Sequence, residues 1–308
     1  MNVSDSVVDS MILPNFVICG APKAGTSSLH VWLADHPDAL GSSEKETYFC
    51  VDSGTHMYRP YANITGGLKG YEQYFNLPED AKPKILLEST PSYLYSKTAL
   101  KFIPDLHSQP KCLFVLREPA AQIYSMFNYF QTNWSWIPGD LSFGDYIKIL
   151  RDEPGKELFN GNELASDALK NASYVDFLVD WRERLGADRI MVQSFDSFKA
   201  DPKAFTKQLA AWLGLDPDFY DTYDFPSDNE TYAVRNKLLQ RINVVVRGLL
   251  PRGIFYRFLK KVYRGLNTHK PKRPDIGNRA LVAELALEFK ADNDRLRLEF
   301  DLELSGWA

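Results

Sequence analysis

An α/β fold, built as a parallel β-sheet with helices on both faces, is what this sequence predicts, and three observations carry that expectation. Short apolar runs bounded by turn residues alternate with stretches of helical periodicity, and buried strands alternating with helices imply a parallel sheet covered on both sides. The first apolar run enters a short glycine-containing loop and then a helix. The chain is also large and apolar enough: 308 residues with 44% hydrophobic content supply one sizeable core. Length over ~150 residues per domain is only a soft guide, so a single domain over 1–308 is expected, with 1–14 as an N-terminal extension.

Residues 15–20 (NFVICG) form the first expected strand, an apolar run closed by glycine. Residues 26–36 follow as a helix, with Leu29, Trp32 and Leu33 at helical spacing. Residues 84–88 (KILLE), 112–116 (CLFVL) and 189–195 (RIMVQSF) are three further strand candidates. Residues 120–134 read as a helix because Pro119 suits its first turn. Tyr174, Phe177, Leu178 and Trp181 fall at i, i+3, i+4 and i+7, one buried stripe of another helix. Leu281, Leu285 and Phe289 repeat every four residues near the C-terminus. No repeat of 20–50 residues is visible, which excludes solenoids and propellers.

Charge and cysteine content narrow the function classes. With 36 basic against 40 acidic residues, net −4, the chain as a whole is not built to coat nucleic acid. Cys19, Cys50 and Cys112 are too few and too widely spaced for a disulfide framework or a cysteine-rich zinc site. No secretory pattern opens residues 1–14 and no run reaches ~18 apolar residues, so a cytoplasmic protein is expected. His30, His36, His56, His107 and His269 lie at no metal-like spacing and are read as surface or satisfied core, His56 being the one able to approach a substrate.

One segment departs from the average. Residues 231–274 hold twelve lysines and arginines and no acid, leaving −16 for the rest. Within it Ile254, Phe255, Phe258, Leu259, Val262, Tyr263 and Leu266 form one helical face, with Arg257, Lys260, Lys261 and Arg264 opposite. Three readings stand: a solvated surface face, a wall for an anionic nucleotide or acceptor, or a peripheral membrane-surface contact through 235–273.

The loop Gly20-Ala21-Pro22-Lys23-Ala24-Gly25-Thr26-Ser27-Ser28 joins the first strand to its helix, where loop amides and a helix N-terminus offer unpaired donors to an anion. This makes the sheet P-loop-like. A nucleoside-triphosphate loop reads GxxxxGK[ST], with its lysine after the second glycine; here Thr26 stands there and the lysine is Lys23. Such enzymes also end a strand in a metal-holding aspartate, whereas CLFVL ends in Arg117. A cation in that place points to a metal-free site binding a second anionic group directly. Ser125, eight residues on, is spaced to converge with Arg117 on one phosphate. Lys23 with Ala24, Gly25, Thr26, Ser27 and Ser28 would hold one anion and Arg117 with Ser125 another, a layout suited to a nucleotide phosphorylated on both its 5′ and 3′ sides.

At these residues the sequence resembles the sulfotransferases that use 3′-phosphoadenosine 5′-phosphosulfate (PAPS). The resemblance rests on PKAGTSSL, on Lys45-Glu46-Thr47-Tyr48-Phe49, on Glu88-Ser89-Thr90-Pro91-Ser92-Tyr93, on Leu116-Arg117-Glu118-Pro119 with Ser125, and on Lys270-Pro271-Lys272-Arg273. The Lys-Glu-x-x-Phe segment is most similar to the heparan-sulfate-type and related bacterial branch. The resemblance implies sulfuryl transfer to a hydroxyl or amine of a small-molecule, glycan or glycolipid acceptor, with 3′-phosphoadenosine 5′-phosphate (PAP) as product and no metal required. It implies that Lys23 neutralises the leaving phosphate, that Glu46 is the base, and that Arg117, Ser125, Lys270, Lys272 and Arg273 clamp the 3′-phosphate. Two residues depart from the branch: Ser89 stands where a lysine is usual, with Lys45 as a candidate replacement, and Pro271 replaces a glycine. Residues 58–74, 134–136 and the basic stretch are candidate acceptor walls. The competing classes are a P-loop kinase or NTPase and a noncatalytic anion or membrane-surface binding protein.

Overall fold

The computed structural model describes residues 11–78, 80–152, 156–226 and 276–308, with a short antiparallel pairing of Ala233–Val234 and Thr268–His269. The rest of the basic segment, including the amphipathic face read over 254–266, lies outside the described residues.

Five strands form one parallel sheet: β1 Phe16–Gly20, β2 Ala39–Gly41, β3 Ile85–Ser89, β4 Lys111–Leu116 and β5 Ile190–Ser194, in the order β2-β3-β1-β4-β5. Four of them are the apolar runs of the sequence. β2 spans three residues, too few for any periodicity to show. The run at 189–195 is shorter than its apolar character suggests, because Phe195 already begins the next helix and Ser194 caps it by accepting from the Ser197 amide at 3.0 Å.

β1 shows why the sheet must be covered twice. Phe16 and Ile18 point into one core, shared with Leu29, Trp32 and Leu33 of α1 (Thr26–Ala34). Val17 and Cys19 point into the other. That second core is completed by Ala99 of α2 (Lys97–Phe102) and by Val175, Leu178 and Trp181 of a later helix, Tyr174–Leu185. Each large side chain buried this way contributes ~1.5–3 kcal/mol. Trp181 keeps its polar edge satisfied, its indole N–H donating to the Leu94 carbonyl at 3.2 Å.

The helix after β4, α3 (Pro119–Tyr129), begins with proline, and the Glu118 carboxylate accepts from the amides of Ala120 (3.1 Å) and Ala121 (2.6 Å). It does not run to residue 134 as the periodicity suggests. Residues Phe130–Trp134 widen into a π turn, closed by Ser135 in the left-handed region at φ 56. A third core fixes α3: Ile123 and Phe127 pack with Phe143, Tyr146 and Ile147 of α4 (Phe143–Arg151) and with Leu285 and Phe289 near the C-terminus.

The connection leaving β1 packs α1 on one face, while Tyr174–Leu185, which precedes β5, packs on the other. Loops at the C-terminal ends of adjacent parallel strands whose connections diverge in this way border a crevice. Here the loops are those after β1 and β4, the two that carry Lys23 and Arg117.

Candidate functional site

The loop after β1 is built to leave donors unspent. Gly25 caps α1 at φ 80 with no side-chain acceptor on the first-turn amides; the Ser28 N–H turns back to the Gly25 carbonyl at 3.0 Å, and the N–H groups of Thr26 and Ser27 face whatever anion arrives. Only glycine fits: a Cβ there would come within 2.6 Å of the Phe198 ring and 2.9 Å of the Phe195 ring. Lys23 also sits in the left-handed region, at φ 65, a conformation that costs a non-glycine residue and marks functional loops. Two side chains from the β4 side hold the loop by its carbonyls. Arg117 Nη1 donates to the Lys23 carbonyl at 3.3 Å, and the buried Gln122 donates to the Pro22 carbonyl at 3.4 Å.

Three cations converge. Lys23 Nζ lies 4.2 Å from the centre of the Tyr129 ring, and the Arg117 guanidinium 5.5 Å from that of Phe195. Lys45 Nζ approaches Thr26 Oγ1 at 3.5 Å. Burial, with Arg117 and Lys45 nearby, brings the Lys23 ammonium down to about 8, Glu46 opposing; burial also lowers Arg117. A cation held down by other cations is relieved by a bound anion.

Glu46 stands beside them. Its Oε1 accepts from Lys45 Nζ at 2.7 Å and its Oε2 from the Tyr48 hydroxyl. Burial works against its charge, but Lys45, the Tyr48 hydrogen bond and Lys23 outweigh it and hold the carboxyl below its usual range. Tyr48 reaches this position from a left-handed backbone, φ 54. Near by, His30 Nδ1 lies 2.8 Å from Ser89 Oγ, both buried. Burial, and then Lys45, lower His30 to about 3, so it is a neutral, satisfied core histidine as its spacing suggested.

The structure therefore brings together Lys23, Ala24, Gly25, Thr26, Glu46 and Arg117. Ser27 and Ser28 follow on the first turn of α1. Ser125 lies half-buried on α3, and among the described residues no hydrogen bond joins its side chain to Arg117. Lys270, Lys272 and Arg273 lie outside the described residues. Sequence reasoning missed Tyr48 and Tyr129 as site residues. Tyr129 had a signal, since it lies four residues after Ser125 on the same helical face.

The aromatic candidates for an acceptor wall divide. Tyr71 and Tyr74 are core. Trp134, by contrast, stacks on Trp136 at 4.8 Å with 37% of its surface exposed. His56 pairs with Glu163 at 2.8 Å and packs edge-on against Trp136. Among the described residues no helix is long and apolar enough to cross a membrane, and no group of three or more His, Cys, Asp or Glu side chains is placed to hold a metal.

A family model described as "Sulfotransferase domain" matches residues 13–247. Among curated proteins, the chain is 22% identical over 207 residues to human bifunctional heparan sulfate N-deacetylase/N-sulfotransferase 3, covering 67% of this chain and 23% of that one. It is 25% identical over 219 residues to bifunctional heparan sulfate N-deacetylase/N-sulfotransferase 1 of Caenorhabditis elegans, covering 68% and 23%. The matched part thus spans about a quarter of the length of these relatives. A sulfotransferase from Alicyclobacillus acidocaldarius shares the fold, with a TM-score of 0.65 at 18% identity, over 96% of this chain and 99% of that one.

Proposed function

We propose a function from a plain premise: the chain belongs to the sulfotransferase domain family, and it transfers a sulfuryl group from PAPS to an acceptor hydroxyl or amine. The observation that carries the donor assignment is the meeting of Lys23, Lys45 and Arg117 around an uncapped helix start. When bound, PAPS supplies the sulfuryl group together with two phosphate-bearing ends.

Each residue has a task in this reading. Lys23 and the amides of Gly25, Thr26 and Ser27, with the Ser28 hydroxyl, neutralise charge on the 5′-phosphate side, a preorganised electrostatic role worth several kcal/mol of barrier in such sites. Arg117 and Ser125, with Lys270, Lys272 and Arg273 of the basic segment, hold the ribose phosphate. Glu46 accepts the acceptor's proton. Paired as it is with Lys45 and Tyr48, it is ionised at neutral pH and a weak base, so it takes the proton late, as the acceptor oxygen or nitrogen loses electron density.

Lys45 fills the place left by Ser89. The Ser89 amide donates to the Lys45 carbonyl at 3.2 Å, and the Lys45 ammonium then extends to the phosphate loop. The residues themselves supply the positive charge, and no divalent ion enters this reading. A kinase reading is disfavoured on the same ground: the residue that follows β4 is a half-buried cation where a metal-holding carboxylate would be needed.

The acceptor is a carbohydrate, a small molecule or a lipid-linked group, and the reaction takes place in the cytoplasm. The names of the relatives support a glycan, and the stacked Trp134–Trp136 pair offers a surface for a ring. Three free, buried cysteines support a reducing compartment. Incubation with labelled PAPS and a panel of acceptors, an N-unsubstituted glucosamine oligosaccharide, a phenol and a glycolipid in micelles, tests the reading. Label transfer that survives EDTA is expected; turnover of ATP with Mg²⁺ and no PAPS chemistry would overturn it.

A further inference from the structure

A buried acid that the reaction does not use lies directly beneath the segment that carries the proposed base. Glu88, on β3, has no exposed surface and no cation paired with it among the described residues. Its Oε1 accepts from the hydroxyls of Thr47 (2.8 Å) and Thr90 (2.6 Å), and its Oε2 from the Tyr71 hydroxyl. Burial pushes this carboxyl above its usual range, and the hydroxyl donors oppose the shift.

The segment it holds has no secondary structure of its own. Residues 45–48 join no helix and no strand, so their backbone donors must be satisfied one at a time. The Phe49 amide donates to Thr47 Oγ1 at 3.2 Å and the Tyr48 amide to Thr90 Oγ1 at 3.4 Å. The Cys50 amide donates to the Tyr93 hydroxyl at 3.1 Å, which itself lies 3.2 Å from Thr47 Oγ1. Three successive amides thus end on hydroxyls gathered around one carboxylate. A carboxylate has two acceptor oxygens and can collect three hydroxyl donors, whereas an amide of the same shape turns one end into a donor.

On the reading that Glu46 is the base, we propose that Glu88 is a positioning residue, acting through Thr47 to hold the strap of Lys45, Glu46 and Tyr48 at the mouth of the phosphate loop. Its contribution is a fixed place for Glu46 and Lys45, not contact with donor or acceptor.

The test uses the full chain and three variants, Thr47→Val, Thr47→Ser and Glu88→Gln. Hydrogen exchange of the amides of residues 48–50, PAP affinity by calorimetry and turnover of labelled PAPS are measured together, with the best acceptor of the panel, or with water if none reacts. Losing one buried hydroxyl or misdirecting one carboxylate oxygen should speed exchange and lower kcat by about 10-fold or more. PAP affinity, to which Lys45 contributes at the phosphate loop, should fall by clearly less than kcat, and Thr47→Ser, which keeps the hydroxyl, should match the native chain. Native exchange or native kcat in Thr47→Val would overturn the proposal, as would a PAP affinity that falls in step with kcat. If Glu88→Gln does not fold, the Thr47 pair decides. If Glu46→Gln turns over normally, the base assignment fails, while strap exchange still decides whether Glu88 positions it.

Discussion

Arg117, which follows the last residue of β4, donates from Nη1 to the main-chain carbonyl of Lys23, 3.3 Å away in the loop after β1. One side chain thereby sets the spacing between the two loops that border the crevice. The guanidinium has further donors to offer to a ligand, since an arginine carries five N–H groups.

Removing either cation should cost donor affinity. Lys23→Ala and Arg117→Ala are each expected to weaken PAP by about 10- to 100-fold, the range for losing a charge-assisted hydrogen bond. Arg117→Ala should additionally loosen the loop, so it is expected to be the more damaging. Calorimetric titration of each variant reads this, with circular dichroism to confirm folding.

PAP binding should weaken at alkaline pH. Lys23 is brought down to about 8 in the free protein, and a bound anion favours its protonated form, so its pKa is higher in the complex. Affinity is therefore full below about pH 8 and falls as pH rises through 8 toward the complex value, by at most one log unit per pH unit from this group. Lys23→Ala should flatten that part of the profile.

Glu46→Gln separates chemistry from binding. Turnover should fall by about 100-fold or more, the contribution typical of a positioned base, while PAP affinity changes little. Equal losses in both would mean that Glu46 serves the donor site instead.

Gly25→Ala should be destabilising in its own right. At φ 80 an L-residue is strained by ~1–2 kcal/mol, and the new methyl must displace the rings of Phe198 and Phe195, adding overpacking of ~1–3 kcal/mol. A lowered melting temperature together with weaker PAP binding is the expected outcome, and a native-like variant would show that the loop is more plastic than its contacts imply.

Much of this architecture was legible because strands buried on both faces leave unbroken apolar runs, as CLFVL does in β4, and because the loop between β1 and α1 is continuous in sequence. The grouping of Lys23, Glu46 and Arg117 around one loop was legible too, because they sit at strand ends or in short motifs. β2 was hidden by its three-residue length, and the π turn at Phe130–Trp134 by a periodicity that runs on through it. Tyr48 was hidden for a different reason, since its place depends on a left-handed backbone; Tyr129 is spaced one turn after Ser125, but that its ring faces Lys23 from another element is not written in that spacing. The hydroxyl cluster around Glu88 joins residues up to 46 positions apart, beyond any local pattern.

The most direct test is a calorimetric comparison of PAP with 5′-AMP, which lacks the 3′-phosphate, in EDTA-containing buffer. Two separate anion grips predict that PAP binds at least about 10-fold more tightly, as expected for one phosphate held by charged donors, and that Arg117→Ala narrows the difference. Equal affinities, or binding that appears only when Mg²⁺ is restored, would contradict the account.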